Sequence, residues 1–390
     1  MFDDLDDAML LGTGYAFLRH GQDRQAEAII QALRALAADR DDDEDDDLDS
    51  EPDPAPIAVQ PNMLDFSTVD IPDSWDDYIG QEPLKAQINV RLSAAKNQGR
   101  RAPHMLFASG YPGVGKTLAA RLTAKTMGVN IIEMQPPFKI DAIVQAALQL
   151  DDGDVLFIDE IHKLTDGVGK RGAEILLKIL EDHLAFLPSG EVVDLPDVTV
   201  IGATTNKGQL PGPVVQRFKL TPYFQPYTLP ELGRICVQYA WRTQVENEIP
   251  NDLAATIAKA CRGTPRIIEE FVDAASDLAD HLARPASPQE FLAFMEVEPD
   301  GMTRTHIHYL TALRQYFVRE ARDGGVEYVA GEANMMQMLH EDRPGIAVIE
   351  RFLVERGLLD RTPRGRRLTT LGVQRAEEFI ATGKGVRDVA

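Results

Sequence analysis

The stretch Gly110-Tyr111-Pro112-Gly113-Val114-Gly115-Lys116-Thr117 decides how this chain is read. It fits the pattern G-x-x-x-x-G-K-[ST]. His104 to Ser109 reads as a strand centred on Met105-Leu106-Phe107-Ala108, and Leu118 to Met127 reads as a helix. The glycines permit a loop whose backbone N–H groups turn inward onto phosphate oxygens, and the helix start adds its positive dipole end. Lys116 is then placed to neutralise β- and γ-phosphates, and the Thr117 hydroxyl to hold Mg²⁺. Gly110, Gly113, Val114, Gly115, Lys116, Thr117 and Leu118 form the expected nucleotide-contacting set. A chance glycine turn would not be expected to carry all these positions between a strand and a helix.

Downstream, Val155-Leu156-Phe157-Ile158 ends in Asp159-Glu160. Four apolar residues closed by two acids read as a buried parallel strand with carboxylates at its C-terminal edge. Asp159 is expected to serve the Mg²⁺ shell and Glu160 to polarise the attacking water. Two apolar runs around Pro188-Ser189-Gly190 read as a β-hairpin over Ala185–Leu195, followed by the strand Val198 to Asn206. That strand's end offers a hydroxyl beside the two acids; Thr205 is the first choice and Thr204 the second. Pro213 to Phe218 ends a short helix on Arg217, read either as a surface ion pair or as a finger reaching a neighbouring subunit's γ-phosphate. Residues 229–300 read as all-helical. Within them Gly263-Thr264-Pro265-Arg266 sets Arg266 in a first helical turn, facing back toward phosphates. Upstream, Tyr78-Ile79-Gly80-Gln81 precedes a helix from Glu82 to Asn97, with Tyr78 and Ile79 suited to cover a flat base.

The last ninety residues change character. Expected helices at 304–322, 330–340 and 345–357 lead into Arg361-Thr362-Pro363-Arg364-Gly365-Arg366-Arg367. Three helices followed by two strands around a Gly and Arg turn is a winged-helix plan. Arg361, Arg364, Arg366 and Arg367 suit phosphate or minor-groove contacts. Glu350 and Glu355 on the third helix argue against strong base reading in the major groove.

Net charge is −22. Residues 1–70 carry 4 basic and 19 acidic side chains, net −15; residues 71–300 are net −9 and residues 301–390 net +2. Nucleic-acid binding therefore needs local basic patches. Asp39 to Glu51 holds ten acidic residues before Pro-rich sequence, which reads as a self-repelling linker. Residues 4–38 read as a helical hairpin, similar to one tetratricopeptide unit, whose apolar face needs the body or a protein partner to cover it. Cys236 and Cys261 are too few for a disulfide framework. With no long apolar run and an acidic start, a cytoplasmic protein with no membrane association is expected.

These residues together resemble the RuvB family of AAA+ ATPases, the bacterial motors of Holliday junction branch migration and DNA recombination. The resemblance spans residues 70 to about 372. It rests on Asp77-Tyr78-Ile79-Gly80-Gln81, the phosphate loop, Leu156 to Leu164, Ile201-Gly202-Ala203-Thr204-Thr205, Arg262 to Arg266 and Arg361 to Arg366. It implies an α/β ATPase domain with a parallel sheet, a small helical lid and a C-terminal winged helix that contacts double-stranded DNA. It also implies a hexameric ring with ATP/ADP and Mg²⁺ between subunits. By this resemblance Tyr78 and Ile79 lie beside adenine, Thr205 is sensor 1, Arg217 the finger and Arg266 sensor 2. The expected divisions are a hairpin at 1–38, a linker at 39–62, the ATPase at 63–226 and the lid at 227–300. The winged helix follows at 301–375, with a tail at 376–390.

Three departures stand against the resemblance. Residues 1–70 lie outside the family pattern. The hairpin before Thr199 is several residues shorter than the one that docks the partner RuvA, so a RuvA-type partner is doubtful. Val215 stands where a second arginine is usual. A helicase or clamp loader shares every ATPase motif, although clamp loaders usually carry a helical collar where this chain has a winged helix. A nucleotide-dependent assembly scaffold would hydrolyse little, against which Glu160 and Arg217 count.

Overall fold

A computed structural model describes residues 72, 74–167, 170–186, 192–320 and 325–384. The expected hairpin at 4–38 and the linker at 39–62 lie outside them.

The first helix, α1, runs Glu82–Asn97. The sheet that follows is built from β1 (Met105–Ala108), β2 (Ile131–Met134), β3 (Val155–Ile158) and β6 (Thr199–Thr204). Its order is β1-β6-β3-β2, all parallel. Isolated parallel bridges from Met105 to Leu220 and from Ala108 to Tyr223 extend it beyond β1. Every residue of β1, β3 and β6 is buried, which is why these strands read as unbroken apolar runs. Side chains still alternate by face. Phe107, Phe157 and Ile201 join one core cluster, and Leu106, Leu156, Ile158 and Val200 join the other. On these faces lie α2 (Lys116–Met127), α3 (Ile140–Leu148), α4 (His162–Gly167), α5 (Lys170–Glu181) and α6 (Gly212–Arg217). The expected hairpin is present as β4 (Leu184–Phe186) paired with β5 (Val192–Asp194); residues 187–191 at its turn lie outside the description.

Four helices follow: α7 (Leu229–Arg242), α8 (Asn251–Ala260), α9 (Pro265–Leu282) and α10 (Pro288–Phe294). Thr228 with Glu231 and Ser287 with Glu290 close capping boxes that start α7 and α10. Pro265 sits in the first turn of α9, where its missing N–H leaves no ladder bond unmade. The helices pack through Cys236, Leu253, Ile257, Cys261 and Phe271, in one cluster with Tyr78, Val114 and Tyr227.

The C-terminal part differs from its sequence reading in two places. The helix expected over 304–322 stops early: α11 runs Arg304–Tyr316, and β7 (Val318–Glu320) pairs antiparallel with β8 (Val326–Ala330). Pairing of Val329 and Ala330 with Arg367 and Arg366 ties this hairpin to the wing, so sheet contacts override the helical reading of Arg319 and Glu320. Next come α12 (Glu332–Leu339), α13 (Arg343–Glu355), and the wing strands β9 (Leu359–Thr362) and β10 (Gly365–Leu368). A final helix, α14, runs Thr370–Ala381 and crosses the expected boundary at 375. It continues because Ala376 and Phe379 fill the winged-helix core. Gly372 lets it close on the chain, since a Cβ there would lie 2.0 Å from the Leu358 carbonyl oxygen. No helix among the described residues is long and apolar enough to cross a membrane.

Candidate active site

The phosphate loop joins β1 to α2, the acids follow β3, and Thr205 follows β6. Because these strands are adjacent and parallel, all three segments emerge at one edge of the sheet. Gly113 and Gly115 have φ of 68° and 89°, a region L side chains rarely enter. Space forbids a side chain as well. A Cβ on Gly115 would stand 2.3 Å from Tyr78 Oη, and one on Gly113 2.7 Å from Thr264 Cγ2 and 3.3 Å from Arg266 Cβ. The loop is thus held between Tyr78 and the start of α9. Tyr78 is buried and donates from Oη to the Gly115 carbonyl at 3.2 Å, while Tyr227 Oη donates to the Val114 carbonyl at 3.3 Å. Ile79 and Val114 are buried, Thr117 is half-buried, and half-buried Leu118 packs on the same cluster.

Lys116 is 7 % exposed, and its Nζ donates to the Tyr111 carbonyl at 3.2 Å. Burial lowers its pKa, and the charges of Glu160 and Asp159 pull the other way. Burial raises the Asp159 carboxyl, and the neighbouring Glu160 charge raises it further. The Glu160 N–H donates to Asp159 Oδ1 at 2.9 Å. Glu160 itself takes a left-handed backbone, φ 44°. Its Oε2 accepts the Thr205 hydroxyl at 2.9 Å and the Thr205 N–H at 3.3 Å. Of the two candidate hydroxyls, Thr205 therefore meets the acid. Thr204 is buried, with Oγ1 2.9 Å from His162 Nδ1. His162 Nδ1 in turn lies 3.2 Å from Glu160 Oε2.

Arg266 is exposed, and its Cβ borders Gly113. Arg217 is not at this edge cluster: it pairs with Glu181 at the end of α5 and is half-exposed. The wing arginines are less free than an exposed hairpin implies. Arg361 and Arg366 donate to Glu350 at 3.2 and 2.8 Å, and Arg367 to Asp360 at 2.9 Å. Arg364, in the turn, is exposed and has no ion-pair partner among the described residues. Glu350, counted in the sequence against base reading by α13, points inward and is fully buried, so it is not on the face that α13 offers to a groove.

Sequence reasoning missed His162, Tyr227 and Arg351. His162 stands two residues after the acid pair, a readable signal. Tyr227 and Arg351 reach the loop from 113 and 241 residues away, and no local pattern marks them.

A glycine cradle, a buried ammonium and two crowded carboxylates fit a nucleoside triphosphate, whose charge would compensate Lys116. With a carboxylate held by Thr205 beside them, these parts define an ATP hydrolase of the AAA+ class. Residues 71–223 match the family model described as the Holliday junction DNA helicase RuvB P-loop domain. Residues 299–377 match the RuvB C-terminal winged helix domain. Among solved structures, the RuvB Holliday junction branch migration motor of Thermotoga maritima is 30% identical, with a TM-score of 0.64 over 81% of this chain and 99% of that one. A point mutant of the same protein gives 30% identity and a TM-score of 0.66, covering 79% of this chain and 98% of that one. The chain belongs to the RuvB family.

Proposed function

We propose that this chain is one subunit of a ring that moves double-stranded DNA by ATP hydrolysis, with branch migration at four-way junctions as its task. The observation that carries this is one sheet edge that gathers Lys116, Asp159, Glu160 and Thr205, in one chain with a winged helix. Lys116 and the loop N–H groups hold the triphosphate, with Tyr78 and Ile79 on the base side. Thr117 and Asp159 hold Mg²⁺, which supplies charge neutralisation at the phosphates. Glu160, fixed by Thr205, orients the attacking water. Arg217 acts on a neighbouring subunit's nucleotide. That role requires release from Glu181, an exposed ion pair worth about 0–1 kcal/mol. Arg266 reports the phosphate state to the lid, and Arg364 makes the freest phosphate contact on the wing. The working divisions are the ATPase at 63–226, the lid at 227–300 and a winged helix from 301 that includes α14.

Steady-state ATPase activity with no DNA, duplex DNA and four-way junctions tests the reading, using wild type and Glu160→Gln. Stimulation by DNA that vanishes in the variant is expected, with junctions most effective. Glu160-dependent hydrolysis that ignores DNA would move the protein to the loaders and protein remodellers.

A further inference from the structure

The third helix of the winged helix, α13, does not stand apart from the ATPase. From it, Arg351 Nη2 donates to the Gly110 carbonyl, the first residue of the phosphate loop. The guanidinium lies over the Tyr111 ring, 4.3 Å from its centroid, and Glu355 accepts from Nε at 3.0 Å. Gly110 is held from the other side by Tyr223, whose Oη accepts its N–H at 3.1 Å. The Tyr111 carbonyl is the acceptor of Lys116 Nζ. Arg351 therefore grips the two residues that lead into the loop, one of which holds the loop lysine.

The preceding residue of the same helix faces the wing. Glu350 accepts from Tyr309 Oη at 2.8 Å, Arg366 Nε at 2.8 Å and Arg361 Nε at 3.2 Å. One helical position thus separates the anchor of the wing from the clamp on the loop. A rigid helix gripped at both points cannot be displaced at the wing without moving Arg351 against Gly110 and Tyr111.

We propose that Arg351 is a positioning residue of the nucleotide site: from the winged helix it sets the Gly110–Tyr111 entry of the phosphate loop. Nucleotide occupancy and DNA engagement are thereby linked within one subunit. The proposal rests on the ATP-site reading. The bistable part is Lys116, which bonds either the Tyr111 carbonyl or a phosphate. Linkage makes the effect reciprocal: if DNA changes nucleotide affinity through this clamp, nucleotide changes DNA affinity by the same factor. A contact that merely packs two domains would carry no such reciprocity.

The test titrates a fluorescent ADP analogue into full-length protein, with and without duplex DNA. The set is wild type, Arg351→Ala, Arg351→Lys, Tyr111→Ala and the Arg351→Ala/Tyr111→Ala double variant, with Lys116→Ala as the non-binding control. Each alanine variant should weaken nucleotide binding roughly threefold to tenfold, and the double should be no weaker than the worse single. KM for ATP should rise more than kcat falls. Duplex DNA should shift nucleotide affinity in wild type, and that shift should vanish in Arg351→Ala. Arg351→Lys keeps the stem packing and the charge but loses the planar fork. It should also lose the shift, and it carries the test if the alanine variant is unstable. Wild-type affinity in Arg351→Ala, additive losses in the double, or a DNA shift absent from wild type or kept without Arg351 would each overturn the proposal. Failure of wild type to bind nucleotide would instead sink the ATP-site reading.

Discussion

Glu160 concentrates the chemistry at the scale of single residues. A left-handed backbone on a non-glycine residue costs about 1–3 kcal/mol, and here it coincides with a carboxylate oxygen fixed by Thr205 and bordered by His162. Thr205→Val removes the hydroxyl donor and leaves the weaker N–H contact. Hydrogen bonds to charged groups contribute about 1.5–3 kcal/mol, so kcat should fall about tenfold to a hundredfold with nucleotide affinity nearly unchanged. Steady-state hydrolysis beside a nucleotide titration checks this; affinity falling as far as kcat would mean that Thr205 shapes the loop instead. At this scale the sequence was informative wherever a motif fixes both residue type and position. Lys116, Asp159, Glu160 and Thr205 meet at one sheet edge because each follows a strand whose buried run is legible. The tyrosine pair behind the loop was not legible, since Tyr78 and Tyr227 are 149 positions apart and meet only through packing.

At the scale of elements, the wing separates two roles that four neighbouring arginines in sequence do not. Arg366 bonds the fully buried Glu350, so its loss strands part of a buried charge network. Arg366→Ala should lower stability by about 1–3 kcal/mol, read as a shifted denaturation midpoint. Arg364→Ala should leave that midpoint in place, weaken duplex binding and reduce the slope of log affinity against log salt by about one. If Arg364→Ala binds DNA like wild type at every salt concentration, the wing turn is not the contact. The β7–β8 hairpin shows why local reading failed here: Arg319 and Glu320 read as helix, but pairing with β8, itself paired with β10, decides the outcome. Glu350 misled for a related reason. Charge on a helix reads as solvated, and only the fold supplies Tyr309, Arg361 and Arg366 as partners.

For the whole molecule, two buried histidines set the acid limit. Burial, with Arg101 next, lowers His104 to about 3, and burial with Arg262 and Arg356 lowers His306 to about 3. The unfolded chain protonates both near 6.5, so between these values it binds more protons than the folded one. The stability these two histidines contribute is therefore fully present above pH 6.5 and is lost as pH falls toward 3, by up to about 1.4 kcal/mol per pH unit for each. His306→Gln, which keeps a capping-box partner for Thr303, should flatten this loss in denaturant unfolding at neutral and mildly acid pH. The assembly makes the final demand. Arg217 is paired with Glu181 at the end of α5 and not with the catalytic candidate Glu160, so the proposed finger role calls for a second subunit. Glu160→Gln and Arg217→Ala should each abolish most hydrolysis alone, the latter by about a thousandfold. In a head-to-tail ring, a site is complete only when an Arg217→Ala subunit supplies Glu160 and its neighbour, a Glu160→Gln subunit, supplies Arg217. With equal random mixing and independent sites, about a quarter of the sites qualify. Mixing the two inactive proteins should therefore restore about a quarter of wild-type ATPase activity. A finger acting within its own subunit would restore none, because every subunit in the mixture lacks one of the two groups.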